Sequence, residues 1–193
     1  MAGKQAKILT RQQVCAALHR ARRSRYPQRD RLMILLSVKA GLRAGEIAKL
    51  TWPMVLDADG RIAASIELHD IAAKKGSGRT IPLHPDLRRA LQQLRRLTGA
   101  EGAVIQSERA GSQGMRPSSV VNWFRRLYCD IGLNGCSSHS GRRTFITNAA
   151  RLVSKAGGSL RDVQQLAGHR SIEQTQAYID ASARAKRRLI ALL

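Results

Sequence analysis

The chain has 193 residues, enough for one ordinary domain or two small ones, and 43% of them are hydrophobic, which excludes wholesale disorder. Lysine and arginine number 34 against 13 aspartates and glutamates, a formal net charge of +21. So basic a balance excludes an ordinary enzyme of neutral metabolites and implies a polyanionic partner, because each phosphate neutralised releases counterions. Of the two polyanions, nucleic acid and an anionic membrane, the second fits poorly. The longest apolar stretch, residues 32–38, is far short of the roughly 20 residues of a span. The first residues, Met-Ala-Gly-Lys-Gln-Ala-Lys7, hold no apolar signal core. The expected location is therefore cytoplasmic, on the nucleoid. Cys15, Cys129 and Cys136 are odd in number and show no C-x-x-C spacing, so they read as reduced thiols rather than a disulfide or zinc set.

In chain order, Thr10-Arg-Gln-Gln13 has the form of a capping box, which predicts a first helix to about residue 21 after a basic tail of residues 1–9. A basic stretch follows, with Arg20, Arg22, Arg23, Arg25, Arg29 and Arg31. The segment 27–40 is apolar nearly all round and predicts the buried helix of the core, broken by Gly41. A short helix is expected over 43–50. From residue 52 to 83 the texture changes to short β-branched runs between turns at Asp57-Ala-Asp-Gly60 and Lys74-Lys-Gly-Ser-Gly78, which predicts about three antiparallel strands. Residues 85–97 carry leucines 87, 91, 94 and 97 on one face and arginines largely on another. A loop with a short strand at 104–105 precedes helices over 117–131 and 139–153. Ser159 and Ser171 open capping signals for two more short helices, and the segment 182–193 alternates basic and apolar residues at helical spacing. The reading is one α+β domain, mostly helical, with a small three-stranded antiparallel sheet. A charge of +21 spread over a folded domain favours nucleic acid as the partner.

No metal motif, P-loop or nucleophile elbow is present, so no metal and no cofactor is expected. Two features carry chemistry instead. His139-Ser-Gly-Arg142 places an imidazole and a guanidinium three residues apart, on one helical face. Ala167-Gly-His169 ends a short helix, and Tyr178 follows nine residues later.

Four segments together carry a resemblance. Ala40-Gly-Leu-Arg43-Ala-Gly-Glu46 resembles the first-arginine motif of the tyrosine recombinases and phage integrases. Lys74-Lys-Gly-Ser-Gly-Arg79-Thr-Ile-Pro-Leu83 is similar to their lysine-bearing hairpin, and His139-Ser-Gly-Arg142-Arg-Thr-Phe to their H-x-x-R helix. Leu166-Ala-Gly-His169-Arg-Ser-Ile-Glu-Gln-Thr-Gln-Ala-Tyr178 resembles their closing histidine and nucleophile segment. The four occur in the family's order with comparable gaps. The resemblance implies the tyrosine recombinase catalytic-domain fold over residues 10–193. It also implies site-specific cleavage and rejoining of DNA through a 3′-phosphotyrosyl intermediate.

The chemistry explains the residue types. Attack on a phosphodiester adds charge to its non-bridging oxygens, and preorganised cations stabilise that charge. Arginine suits the task because its planar fork binds two oxygens and stays protonated. Arg43 and Arg142 are therefore assigned as the phosphate clamp. The resemblance makes His169 a further hydrogen-bond donor and Tyr178 the nucleophile, whose phenol has an ordinary pKa of about 10 and must lose its proton on attack. His139 is the candidate partner for that proton, and Lys74 the general acid for the leaving 5′-oxygen, with adjacent Lys75 as its alternative. Glu46, one turn from Arg43, is expected to orient it by a salt bridge. Arg22, Arg23, Arg25, Lys75, Arg79, Arg143 and Arg170 are the expected DNA contacts.

Relatives carry a separate helical domain ahead of the catalytic one, and its absence is expected here. The resemblance implies double-stranded DNA as partner, a homotetramer on synapsed sites from a monomer in solution, and accessory DNA-bending or partner recombinase proteins. Two alternatives remain at this point: a catalytically silent DNA-binding regulator of the same fold, and a type IB topoisomerase-like nicking-closing enzyme.

Overall fold

The side chain of Thr10 accepts a hydrogen bond from the Gln13 amide at 3.2 Å while the Gln13 side chain accepts from the Thr10 amide at 2.9 Å, and this reciprocal cap opens the first helix, α1 (Arg11–Arg22). The computed structural model describes residues 6–73, 78–108, 113–178 and 190–191. Within them Pro27 occupies the first turn of α2 (Pro27–Lys39), where a missing amide hydrogen costs nothing. Leu32, Met33, Ile34, Leu35 and Leu36 of α2 are all buried, so this helix is apolar on every side and forms the centre of the domain. It packs against α1, α3 (Ala44–Lys49), α4 (Pro85–Thr98) and α6 (Ser140–Leu152).

Gly41 ends α2 with a positive φ of 64°, and a Cβ there would also collide with the Phe145 ring, so both backbone and neighbour require glycine. The turn it makes delivers Arg43 to the N-cap of α3. The close approach of α6 to α2 has a second requirement: a Cβ on Gly141 would run into Ser37 Oγ and lie 2.9 Å from Ser37 Cβ. Gly141 is thus the contact point of two buried helices, which offsets its low helix propensity.

The sheet has two strands among the described residues, β1 (Ser65–Leu68) and β2 (Arg79–Pro82), antiparallel with Ile66 opposite Ile81 and Leu68 opposite Arg79. The third strand expected from the sequence is reduced to one bridge, Leu56 to Ile62, around the Asp57–Gly60 turn. Arg61-Ile-Ala-Ala64 holds a single β-branched side chain, too little to extend the ladder. The expected strand at 104–105 is likewise reduced to the bridges Thr51–Ala103 and Gln106–Gly114, with Val104 and Ile105 buried between them.

α4 buries Leu87, Ala90, Leu91 and Leu94, while Leu97, expected on the same face, is 69% exposed at the helix end. α5 (Pro117–Asp130) contributes Val120, Phe124, Leu127 and Tyr128 to the core. A second, smaller cluster of Ile146, Val163 and Ala167 joins α6 to α7 (Leu160–Ala167), and Tyr178 packs against it just after α8 (Ile172–Gln176). Ser159 and Asp162 cap α7 reciprocally, whereas Ser171 precedes α8 without a side-chain cap bond and engages the Glu173 side chain instead. The part of the expected tail that is described is docked: Leu9 is buried and its amide donates to Thr144 Oγ1 at 2.8 Å. Among the described residues no helix is long and apolar enough to cross a membrane. The helix expected over 182–193 lies outside the described residues except for 190–191.

Candidate active site

Three backbone turns bring the candidate residues together. The Gly41 turn presents Arg43, the start of α6 presents His139 and Arg142, and the Gly168 turn after α7 presents His169. Arg143, the residue after Arg142, and Tyr178, a short distance beyond α8, complete the set. Arg43, His139, Arg142, Arg143, His169 and Tyr178 line one open cleft of about 650 Å³.

Arg142 is the hub. Its side chain is buried, 3% exposed, and donates from Nη1 to the Gly41 carbonyl and from Nη2 to the Ala167 carbonyl, each at 2.7 Å. One guanidinium therefore ties the end of α2 to the end of α7, and so sets Arg43 and His169 relative to each other. Burial, and then repulsion from Arg43, push its pKa down to about 10, which leaves it cationic at neutral pH.

Arg43 is oriented by Glu46 as the sequence leads one to expect, with Nη1 donating to Oε1 at 2.7 Å. Glu46 does more than that. Its Oε2 accepts from the Arg43 amide at 2.8 Å, and the guanidinium of Arg79 donates to both oxygens at 3.1 and 3.0 Å. Burial raises the pKa of Glu46, but the hydrogen bond and charge of Arg79 and the contacts of Arg43 outweigh it, so the net shift is downward from the usual carboxylate value.

Arg79, expected at the DNA, is instead an inward residue with its side chain 6% exposed. Besides holding Glu46, its Nε donates to the Leu166 carbonyl at 2.9 Å, joining β2 to the end of α7. The signal for this was present in the sequence: Arg79 stands two residues before Ile81, and in a strand residues i and i+2 share a face.

His169 is held on three sides. Its backbone bonds Gln164 in both directions, its ring lies near-parallel to Tyr178 with centroids 5.4 Å apart, and Nδ1 sits 2.9 Å from Thr175 Oγ1. Burial, then the charges of Arg142, Arg43 and Arg79, push its pKa down to about 4, so the ring is neutral at neutral pH. Tyr178 is half-buried, and Thr147 Oγ1 donates to its carbonyl at 3.3 Å. His139 is exposed at the N-cap of α6, with its carbonyl accepting from the Arg143 amide at 2.9 Å.

The remaining expected DNA contacts are dispersed. Arg143 lines the cleft and donates to the Ala6 carbonyl at 3.0 Å. Arg170 is exposed beside an adjoining cleft that Arg79 and His169 also line. Arg22, Arg23 and Arg25 are exposed around the α1–α2 turn and do not line the central cleft; Arg25 lies 4.0 Å from the Glu108 carboxylate. Lys74 and Lys75 lie outside the described residues.

This architecture is that of the tyrosine recombinase catalytic domains. It matches the Tn1549 transposon integrase solved with a circular intermediate DNA at a TM-score of 0.74 and 19% identity, covering 100% of this chain and 67% of that one. It matches a lambda integrase tetramer bound to a Holliday junction at a TM-score of 0.72 and 21% identity, covering 93% and 50%. Residues 7–184 match the phage integrase family, and the chain belongs to that family. Among named relatives, the tyrosine recombinase XerA of Pyrococcus furiosus is 28% identical over 81% of this chain and 51% of its own length, so the chain spans about half the length of that relative.

Proposed function

We propose that this protein is a site-specific DNA recombinase that cleaves and rejoins strands through a 3′-phosphotyrosyl intermediate. The observation that carries the proposal is the convergence of Arg43, His139, Arg142, His169 and Tyr178, from three distant parts of the chain, on one cleft.

In this reading the scissile phosphate sits between Arg43 and Arg142, whose charges stabilise the oxygens of the pentacoordinate state. The Tyr178 oxygen attacks phosphorus and passes its proton towards His139. His169, neutral, donates a hydrogen bond to a non-bridging oxygen. Lys74 protonates the departing 5′-oxygen. The bond energy is kept in the phosphotyrosine, so rejoining needs no ATP or metal. Double-stranded DNA is the substrate, and the active form is a multimer on synapsed sites. The lambda integrase neighbour, a tetramer on a Holliday junction, supports that assembly by analogy of fold.

Incubation with a nicked suicide duplex, from which the short fragment bearing the free 5′-hydroxyl diffuses away, tests the reading. The expected result is a denaturation-resistant protein–DNA adduct that disappears in Tyr178→Phe. An adduct that survives Tyr178→Phe overturns it. Binding of the duplex without any adduct favours the silent regulator.

A further inference from the structure

Thr175 lies on α8, three residues before Tyr178, and its side chain is completely buried, at 0% exposure. Its hydroxyl lies 2.9 Å from Nδ1 of His169 and makes no other side-chain hydrogen bond among the described residues. The Thr175 carbonyl accepts from the Tyr178 amide at 3.0 Å, so one residue touches both the histidine and the nucleophile's backbone.

A neutral imidazole carries one proton, and the partner of one nitrogen decides which nitrogen holds it. If Nδ1 carried it, Nδ1 would donate to Thr175 Oγ1 and the hydroxyl's own hydrogen would be buried without an acceptor. A buried donor left unmade is costly enough to bias the tautomers by roughly tenfold or more. If Nδ1 is bare, the hydroxyl donates to it and both groups are satisfied. The single proton then sits on Nε2, the nitrogen on the opposite edge of the ring, which has no partner among the described residues while the ring itself lines the cleft.

We infer that Thr175 is the positioning residue of His169, its buried hydroxyl donating to Nδ1 and thereby fixing the tautomer whose Nε2–H points to the phosphate. This rests on the reading of His169 as a donor to a non-bridging oxygen. A doubly protonated ring would also strand the Thr175 hydrogen, which agrees with the downward shift of His169.

The test uses the whole chain labelled with ¹⁵N-histidine, as wild type, Thr175→Val, which keeps the shape and removes the hydroxyl, and Thr175→Ser, which keeps the hydroxyl. In wild type the His169 Nε2 shift should be that of a protonated nitrogen and Nδ1 that of a bare one. Thr175→Val should mix the two tautomers and Thr175→Ser should restore the wild-type pattern. Single-turnover cleavage of the suicide duplex should fall by roughly 10- to 100-fold in Thr175→Val at unchanged Kd, since outright loss of one preorganised donor costs 10²–10³. Cleavage should be recovered in Thr175→Ser. A tautomer unchanged in Thr175→Val, or an Nδ1-protonated wild type, overturns the assignment and leaves the recombinase reading intact. The expected tautomer change in a protein that forms no adduct sinks the recombinase reading and leaves the Thr175–His169 pairing standing.

Discussion

Replacing Glu46 with glutamine removes a buried charge and keeps its shape. Each oxygen of Glu46 accepts two hydrogen bonds, Oε1 from Arg43 Nη1 and Arg79 Nη1, Oε2 from the Arg43 amide and Arg79 Nη2. A glutamine amide presents one oxygen, so two of the four bonds disappear whichever way it is turned. Hydrogen bonds to charged groups contribute about 1.5–3 kcal/mol each. Two of them come to about 3–6 kcal/mol, which overlaps the ~3–5 kcal/mol for breaking a buried ion pair. Little discount for solvent is needed, because Glu46 is 1% exposed and Arg79 6%. The pH dependence follows from the downward shift of Glu46. Its stabilising contribution is fully present above the unfolded carboxyl value of about 4.3 and is lost as pH falls through the lower folded value. Urea unfolding of wild type and Glu46→Gln at pH 7 should therefore differ by about 3–5 kcal/mol, and the gap should narrow below about pH 4. A gap under about 1 kcal/mol at pH 7, or one that stays constant into acid, would refute this account of the clamp.

Gly141→Ala should lower stability by about 1–3 kcal/mol by overpacking despite alanine's better helix propensity; an unchanged or higher Tm would show that α2 and α6 can part at no cost. Arg22→Ala, Arg23→Ala and Arg25→Ala combined should flatten the salt dependence of DNA binding by about 0.9 for each phosphate no longer neutralised. Arg79→Lys, a buried site, should leave that slope alone while slowing cleavage; filter binding across a salt series separates the two, and a slope change for Arg79→Lys would place it at the DNA after all. His169 should remain neutral down to about pH 4 in an NMR titration. Its depressed value also means stability is lost as pH falls from about 6.5 towards 4, where the unfolded chain takes up the proton first. A midpoint near 6.5 in the folded protein contradicts the cluster of cations drawn around the ring.

Where local chemistry decides, the sequence was readable: Thr10 with Gln13, Ser159 with Asp162, and prolines 27, 85 and 117 all mark helix starts that the structure keeps. The family motifs located the cleft's residues because each sits at a turn or helix start with its own signature. What escaped depends on partners distant in the chain. Arg79 looks like one more surface cation until Glu46, 33 residues away, is seen to need a counter-charge. Gly141 looks like a weak point in a helix until Ser37 is placed against it. The third strand was overcounted because the sequence around 61–64 marks a turn and one bridge without showing how far pairing continues.

The most direct trial of the central claim is to locate the covalent bond itself. After cleavage of the suicide duplex, nuclease and trypsin digestion should leave a peptide carrying a nucleotide, and fragmentation should place it on the oxygen of Tyr178 through a 3′-phosphate, with a free 5′-hydroxyl on the released strand. A nucleotide on any other residue, or one joined through a 5′-phosphate, would contradict it.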